Sequence, residues 1–288
     1  MVIALLKSLR PIQWNKNLLL FAGLIFSLNI LNVDYVLLSI SAFGIFCMIT
    51  SSGYIFNDLF DLPADRRHPE KSKRPLAAGE LNPVIAGIAA ILLVVVGIYG
   101  AFRLNINFAL ICLLYYTMMF LYSLKLKHIV ILDVLIIAAG FVIRAIAGTV
   151  VIDVILSKWL LVCTIFLALF LALCKRLNEL NSSKESQNQT RKILTEYSPE
   201  LLIQLISIAA SSTVIAYTLY TVDDLTVEKF GTINLVYTVP FVIYGIFRYM
   251  YLIHKKNLGE YPELVLFTDK STLINIILYL AAVFYILY

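Results

Sequence analysis

Three aspartates, Asp58, Asp61 and Asp65, with Asn57 just before the first, open the stretch NDLFDLPADRRHPEKSKRPLAAGEL, and the bases Arg66, Arg67, Lys71, Lys73 and Arg74 follow them. On a helix this spacing puts the three carboxylates on one face, up to the point where Pro63 bends or ends it. Like charges so close raise one another's pKa and strain the helix, and a divalent cation relieves both effects. Oxygen-only donors at Asp58, Asp61 and Asp65 suit Mg2+, or Mn2+, over zinc, and Mg2+ commonly shares its shell with a substrate phosphate. The bases that follow offer planar forks and point charges to a polyanion such as a diphosphate. The plainer alternative is an acidic loop paired with its own arginines, beside bases that only mark the cytoplasmic side. It explains the sign of the charges but not their adjacency.

The elements that must position these residues are membrane helices. The chain has 288 residues, 61% hydrophobic and 14% charged, with a mean hydropathy of +0.89, too little charge to cover a soluble domain of this size. Nine apolar spans are expected, at about 17–31, 36–56, 84–102, 105–123, 129–150, 158–174, 201–221, 232–252 and 272–288. The first is short unless it begins near Pro11. Nineteen of the 23 Lys and Arg fall on one side of these spans and three on the other, with Arg144 inside the fifth. That asymmetry predicts a cytoplasmic N-terminus and an outer C-terminus, and long cytoplasmic loops at about 57–83, 175–200 and 253–271. One all-α membrane domain over 1–288 is expected, without a cleavable signal peptide or an internal repeat. No extramembrane part is large enough to grip nucleic acid.

Other polar residues stand out against the apolar background. Asp133 and Arg144 lie three turns apart on one face of the fifth span, and an ionisable residue there is costly enough to be a functional candidate. They either pair with other helices or line a polar cavity, and Gly140 and Gly148 allow close approach. In CKRLNEL, Lys175 and Glu179 share a helix face with Arg176 beside them, a set that also suits a helix end anchored at the interface. In RPIQWNKNLLLF, Trp14 reads as an interfacial anchor and Lys16 as an anchor or a phosphate ligand. The histidines His68, His128 and His254 are too dispersed for a metal cluster. The cysteines Cys47, Cys112, Cys163 and Cys174 lie in apolar runs without metal or redox spacing.

The pattern NDxxDxxxD at Asn57, Asp58, Asp61 and Asp65, with nine spans, resembles the UbiA superfamily of intramembrane prenyltransferases. The blocks LRPIQWNKNLLLFAGLIFS, HPEKSKRPLAAG, YSLKLKHIVILDV, GFVIRAIAG, FLALFLALCKRLNEL, RKILTEYS and PELVLFTDKSTL resemble its decaprenyl-phosphate phosphoribosyltransferase branch. The resemblance implies a helical bundle with a central polar cavity open to the cytoplasmic side. It implies Mg2+-dependent transfer of 5-phosphoribose from 5-phosphoribosyl 1-diphosphate to a polyprenyl phosphate in the bilayer, with release of pyrophosphate. On the matched positions Asp58, Asp61 and Asp65 would hold the metal and Asn57 would supplement its shell. Lys16, Lys71, Arg74, Lys127, Arg144, Lys175 and Arg176 would contact phosphates. Prenyl-transferring members usually carry a second Asp-rich motif after the fourth span, where this chain offers only Asp133 behind Lys125 and Lys127. More bases and fewer acids suit two phosphorylated substrates. Transfer of a prenyl group from its diphosphate to an aromatic or other acceptor is the alternative on the same fold, and a transporter is the alternative from another class.

Overall fold

The structure is a computed structural model that describes residues 1–67, 70–155, 157–186, 192–256 and 269–287, leaving aside the side chains of 182–186, 192 and 254–256. His68, Arg191, the His254 side chain and most of PELVLFTDKSTL therefore lie outside the described residues. The described residues are helical, without a strand. Among the described residues eight helices are long and apolar enough to cross a membrane, and they coincide with the second to ninth expected spans.

The first expected span differs. It is not among those eight, and its region runs as a 3-10 helix over Pro11–Leu20 and continues as α2, Phe21–Phe26. A 3-10 helix rises about 2.0 Å per residue against about 1.5 Å for an α-helix. The stretch is thus roughly 29 Å long, close to the ~30 Å hydrocarbon thickness.

By their contacts the residues fall into two compact units, one of Met1–Ile136 with Ile143–Ile155, the other of Ile137–Val142 with Leu156–Tyr288. The first unit holds α1 (Val2–Ser8), the 3-10 segment, α2, α3 (Val33–Phe60), α4 (Leu62–Asp65), α5 (Pro83–Leu104) and α6 (Ile106–Leu124). It also holds the first five and the last nine residues of α7, Leu132–Val151. Asparagine caps start three of its helices: Asn32, Asn82 and Asn105 accept from the exposed N–H groups of α3, α5 and α6, which nothing within the helix could satisfy. The core gathers Leu20, Phe46, Ile49, Phe108, Tyr115 and Ile152. On α5 the outward residues Ile88, Ile91, Leu92, Val95 and Tyr99 are exposed, as suits a helix that faces lipid.

Two contacts fix the 3-10 segment. A Cβ at Gly148 of α7 would come 2.0 Å from the Leu20 carbonyl oxygen, and one at Gly23 would come 2.9 Å from the Thr149 side chain. The close approach expected from glycine in this helix is therefore made at Gly148, against the backbone of the 3-10 segment.

The second unit contains α8 (Lys158–Ser186), α9 (Pro199–Val222), α10 (Asp224–Phe230), α11 (Val239–Lys256) and α12 (Lys270–Leu287). Several polar ties lie within it. Trp159 donates to Asp223 at 3.0 Å, and the Tyr217 hydroxyl meets those of Thr238 at 2.6 Å and Tyr279 at 3.1 Å. Arg248 grips Asp269 through two nitrogens, at 3.0 and 2.7 Å. Asp269 also accepts from the backbone N–H and hydroxyl of Thr272 at the start of α12. The four cysteines are buried and unpaired by disulfides.

Candidate active site

The aspartates sit where α3 ends. With 28 residues, α3 is about 42 Å long, so its last turns extend past a ~30 Å apolar layer. The helix stops at Phe60, Asp61 takes up φ −87° and ψ 0°, and Pro63 lies in the first turn of α4. The proline ends one helix and starts the next. Because Asp61 N–H still reaches the Asn57 carbonyl at 2.9 Å and Asp65 N–H that of Asp61 at 2.8 Å, the turn of the chain is nearly kept. The three carboxylates stay at one helix end.

Each carboxylate meets a base. Arg74 Nη1 stands between Asp58 Oδ1 at 3.0 Å and Asp65 Oδ2 at 2.6 Å. Arg10 reaches Asp58 Oδ1 at 2.5 Å, and Lys127 reaches Asp61 Oδ1 at 2.6 Å. Asp58, Asp65 and Lys127 are buried, at 3%, 4% and 5% exposure, so these pairs are shielded from the screening that weakens surface pairs. Among the described residues nothing donates to the second oxygen of each aspartate: Oδ2 of Asp58, Oδ2 of Asp61 and Oδ1 of Asp65. Asn57 is half-buried beside them.

Arg10 was absent from the sequence-based site. It holds φ 53° and ψ 61°, a left-handed backbone that costs a non-glycine residue roughly 1–2 kcal/mol. The following Pro11 disfavours the right-handed helical region for it. The Ser51 hydroxyl donates to the preceding carbonyl of Leu9 at 2.9 Å. So placed, the guanidinium lies over the Tyr54 ring, 5.2 Å from its centroid, one turn before Asp58 on α3.

The oxygen-only donor set suits a hard divalent cation. Among the described residues no three His, Cys, Asp or Glu side chains are already gathered as a metal cluster. What fits the group is narrower: Asp58 and Asp65 converge on one cationic atom, and each aspartate keeps one oxygen that no described residue engages. The plainer expectation, acids paired with their own arginines, is also realised at Arg74.

Other expected residues lie elsewhere. Arg144 is buried and donates to Asn17 Oδ1 at 2.8 Å and the Tyr115 hydroxyl at 2.7 Å, with its charge 4.8 Å from the Tyr115 ring centre. Asn17 in turn donates to Cys47 and Thr50 of α3. Thr50 is eight residues before Asp58, or about 12 Å along the helix, so Arg144 joins a buried knot and not the carboxylate cluster. Of the two roles open to it, pairing with other helices is the one taken. Asp133 is fully buried, in the first turn of α7. Trp14 is half-buried and donates to Ser51 at 3.0 Å, so it packs against α3 rather than serving only as an interfacial anchor. Lys16 donates to Gln13 at 2.5 Å, and Lys71 is half-buried in a 3-10 turn, Lys71–Lys73. Lys175 and Arg176 belong to the second unit. There Arg176, 2% exposed, pairs with Glu179 at i,i+3.

The chain matches the UbiA prenyltransferase family over residues 18–269. It is 35% identical over 277 residues to the decaprenyl-phosphate phosphoribosyltransferase of Mycolicibacterium smegmatis, covering 92% of this chain and 87% of that protein. To the protein of the same name from Corynebacterium glutamicum it is 33% identical over 271 residues, covering 92% and 81%. Among solved structures it superposes on a UbiA homolog from Archaeoglobus fulgidus bound to GPP and Mg2+. That match has a TM-score of 0.73 at 21% identity and covers 99% of each chain.

Proposed function

The chain belongs to the UbiA prenyltransferase family, and from that premise we propose that this membrane transferase moves 5-phosphoribose from 5-phosphoribosyl 1-diphosphate to a polyprenyl phosphate. The observation that carries the reading is the set of three bases on three aspartates at the end of α3. The names of the two relatives above favour phosphoribose over a prenyl group as the transferred unit.

In this reading the bond from ribose C1 to the diphosphate oxygen breaks, and its electron pair leaves with pyrophosphate. A bond from C1 to an oxygen of the lipid phosphate forms. The transition state has oxocarbenium character, as in glycosyl transfer. Mg2+, held by Asp58, Asp61 and Asp65 with Asn57 beside them, would neutralise charge on the leaving diphosphate. Arg10, Arg74 and Lys127, at the same helix end, would stabilise the same charge. Lys16 and Lys71 lie along the same stretches and extend the basic lining; Lys175 and Arg176 are assigned to phosphate by family likeness alone. The acceptor phosphate is already anionic, so no general base has to remove a proton, and holding it in line is the protein's task. Arg144 ties the 3-10 segment to α6 through Asn17 and Tyr115. The site opens on the cytoplasmic side, where the soluble donor is.

Protection against heat tests the choice of donor. With Mg2+ present, 5-phosphoribosyl 1-diphosphate should raise the melting temperature by several degrees at saturating concentration, through binding to the folded state alone. A prenyl diphosphate should protect less. Protection by the prenyl diphosphate and none by the sugar donor would move the assignment to prenyl transfer.

A further inference from the structure

The six charged side chains at the end of α3 cancel: Asp58, Asp61 and Asp65 against Arg10, Arg74 and Lys127. A set of carboxylates built to capture a free metal ion would be left negative. Here a cation already stands on every carboxylate, and Arg74 Nη1 occupies the point on which Asp58 and Asp65 converge. We propose that the site takes metal and diphosphate together by exchange of partners, the aspartates passing from guanidinium and ammonium to the metal while the bases pass to the phosphates.

The proposal rests on the reading of this site as one for a metal and a diphosphate donor. Its logic is charge balance in a shielded place. Metal alone must displace Arg74 from its two carboxylates and leaves the freed bases facing a dication. Diphosphate alone must draw the bases off buried aspartates and leaves those uncompensated, which is costly where water is scarce. Bound together, each ligand supplies the partner that the other has released. Linkage then requires each to tighten the other by the same factor. Arg10 is central because its left-handed backbone holds the guanidinium against Asp58 from a separate segment of the chain. The pair therefore forms without help from the loop that carries Arg74.

The test uses the full chain in detergent, with Mn2+ as a spectroscopic stand-in for Mg2+ and inorganic pyrophosphate as the anion. Bound Mn2+ is read by electron paramagnetic resonance and bound labelled pyrophosphate by equilibrium dialysis. Each should raise the protein's affinity for the other by about 10-fold or more, within the usual range of coupling between sites. Arg74→Gln should bind Mn2+ alone more tightly than the parent, by about 3- to 10-fold, and bind pyrophosphate with Mn2+ more weakly. Arg10→Gly should shift both affinities in the same directions, and glycine accepts the left-handed turn without strain, so the fold is kept. Equal Mn2+ affinity with and without pyrophosphate would overturn the proposal. So would weaker binding of Mn2+ alone in both variants, which is what loss of simple positioning produces. Pyrophosphate is the leaving group in phosphoribosyl and prenyl transfer alike. Coupling without phosphoribosyl transfer would therefore sink the donor assignment and spare the exchange, and transfer without coupling would do the reverse.

Discussion

A carboxylate beside a cation in a shielded place is the smallest working part of this protein, and four such contacts occur at the end of α3. Replacing Asp58, Asp61 or Asp65 with alanine should lower turnover by at least about 100-fold, the scale of losing a group that holds charge in the transition state. Folded protein should still be recovered, which gel filtration and circular dichroism check; loss of the fold would make these residues structural. The aspartates were legible in the sequence because helical spacing and charge sign are local facts, and Arg74 lies only 9 residues from Asp65. Lys127 came into view through family likeness, its partner being 66 residues away. Arg10 did not come into view, since its contact with Asp58 spans 48 residues and depends on a left-handed turn that no composition signals. The one available sign was an arginine directly before a proline where an apolar run begins. A different carboxylate sets a pH dependence. Arg248 and the capping bonds from Thr272 hold the Asp269 carboxyl well below the usual carboxylate range. A depressed folded pKa adds stability above the unfolded value, roughly 3.9, and loses it as pH falls from there toward the folded one. The melting-temperature gap between the parent and Asp269→Asn should stay constant from pH 8 to about 5 and close only in stronger acid. A gap that opens near neutrality would contradict this.

Among the elements, the 3-10 segment Pro11–Leu20 matters most, because it ties Arg10 to the rest of the first unit. Its neighbours fix it at three levels of α3: Arg10 on Asp58, Trp14 on Ser51, and Asn17 on Cys47 and Thr50. The sequence marked the eight α-helical spans, where a continuous apolar run is itself the signal. It drew the first span at 17–31 and left its start open back to Pro11, because hydropathy averages over Gln13, Trp14, Asn15 and Lys16 and registers only the apolar stretch beyond them. The polar residues of that turn are satisfied partly by α3, which a single segment cannot reveal. Gly148 tests the packing. Gly148→Ala puts a methyl group against the Leu20 backbone carbonyl, and overpacking of this sort costs about 1–3 kcal/mol. Gly44→Ala, on α3 with open space around it, should be neutral or stabilising by up to about 1 kcal/mol. Thermal melts of the two variants should move in opposite directions or differ by several degrees, and equal melts would mean that the close approach is absent.

At the scale of the whole molecule, the account requires an integral membrane transferase that brings a soluble, highly charged donor to a lipid phosphate. The account counts the segment from Pro11 to Phe26 as a crossing besides the eight long helices among the described residues. With nine crossings and basic loops inside, it expects the C-terminus outside. A C-terminal alkaline phosphatase fusion should therefore be active and a green fluorescent protein fusion dark, and the opposite pair would mean that the first segment does not cross. The charge asymmetry that predicts this was visible in the sequence. The donor came into view only through family likeness, because acids and bases at one helix end serve any diphosphate. The central claim is tested most directly by following two labels at once in purified protein with Mg2+, a polyprenyl phosphate and 5-phosphoribosyl 1-diphosphate labelled in its ribose and in its diphosphate. The account predicts ribose label in the lipid phase and diphosphate label released as pyrophosphate, in equal amounts. Ribose label that stays in water across a range of lipid lengths, while a prenyl diphosphate is consumed with an acceptor, would contradict it.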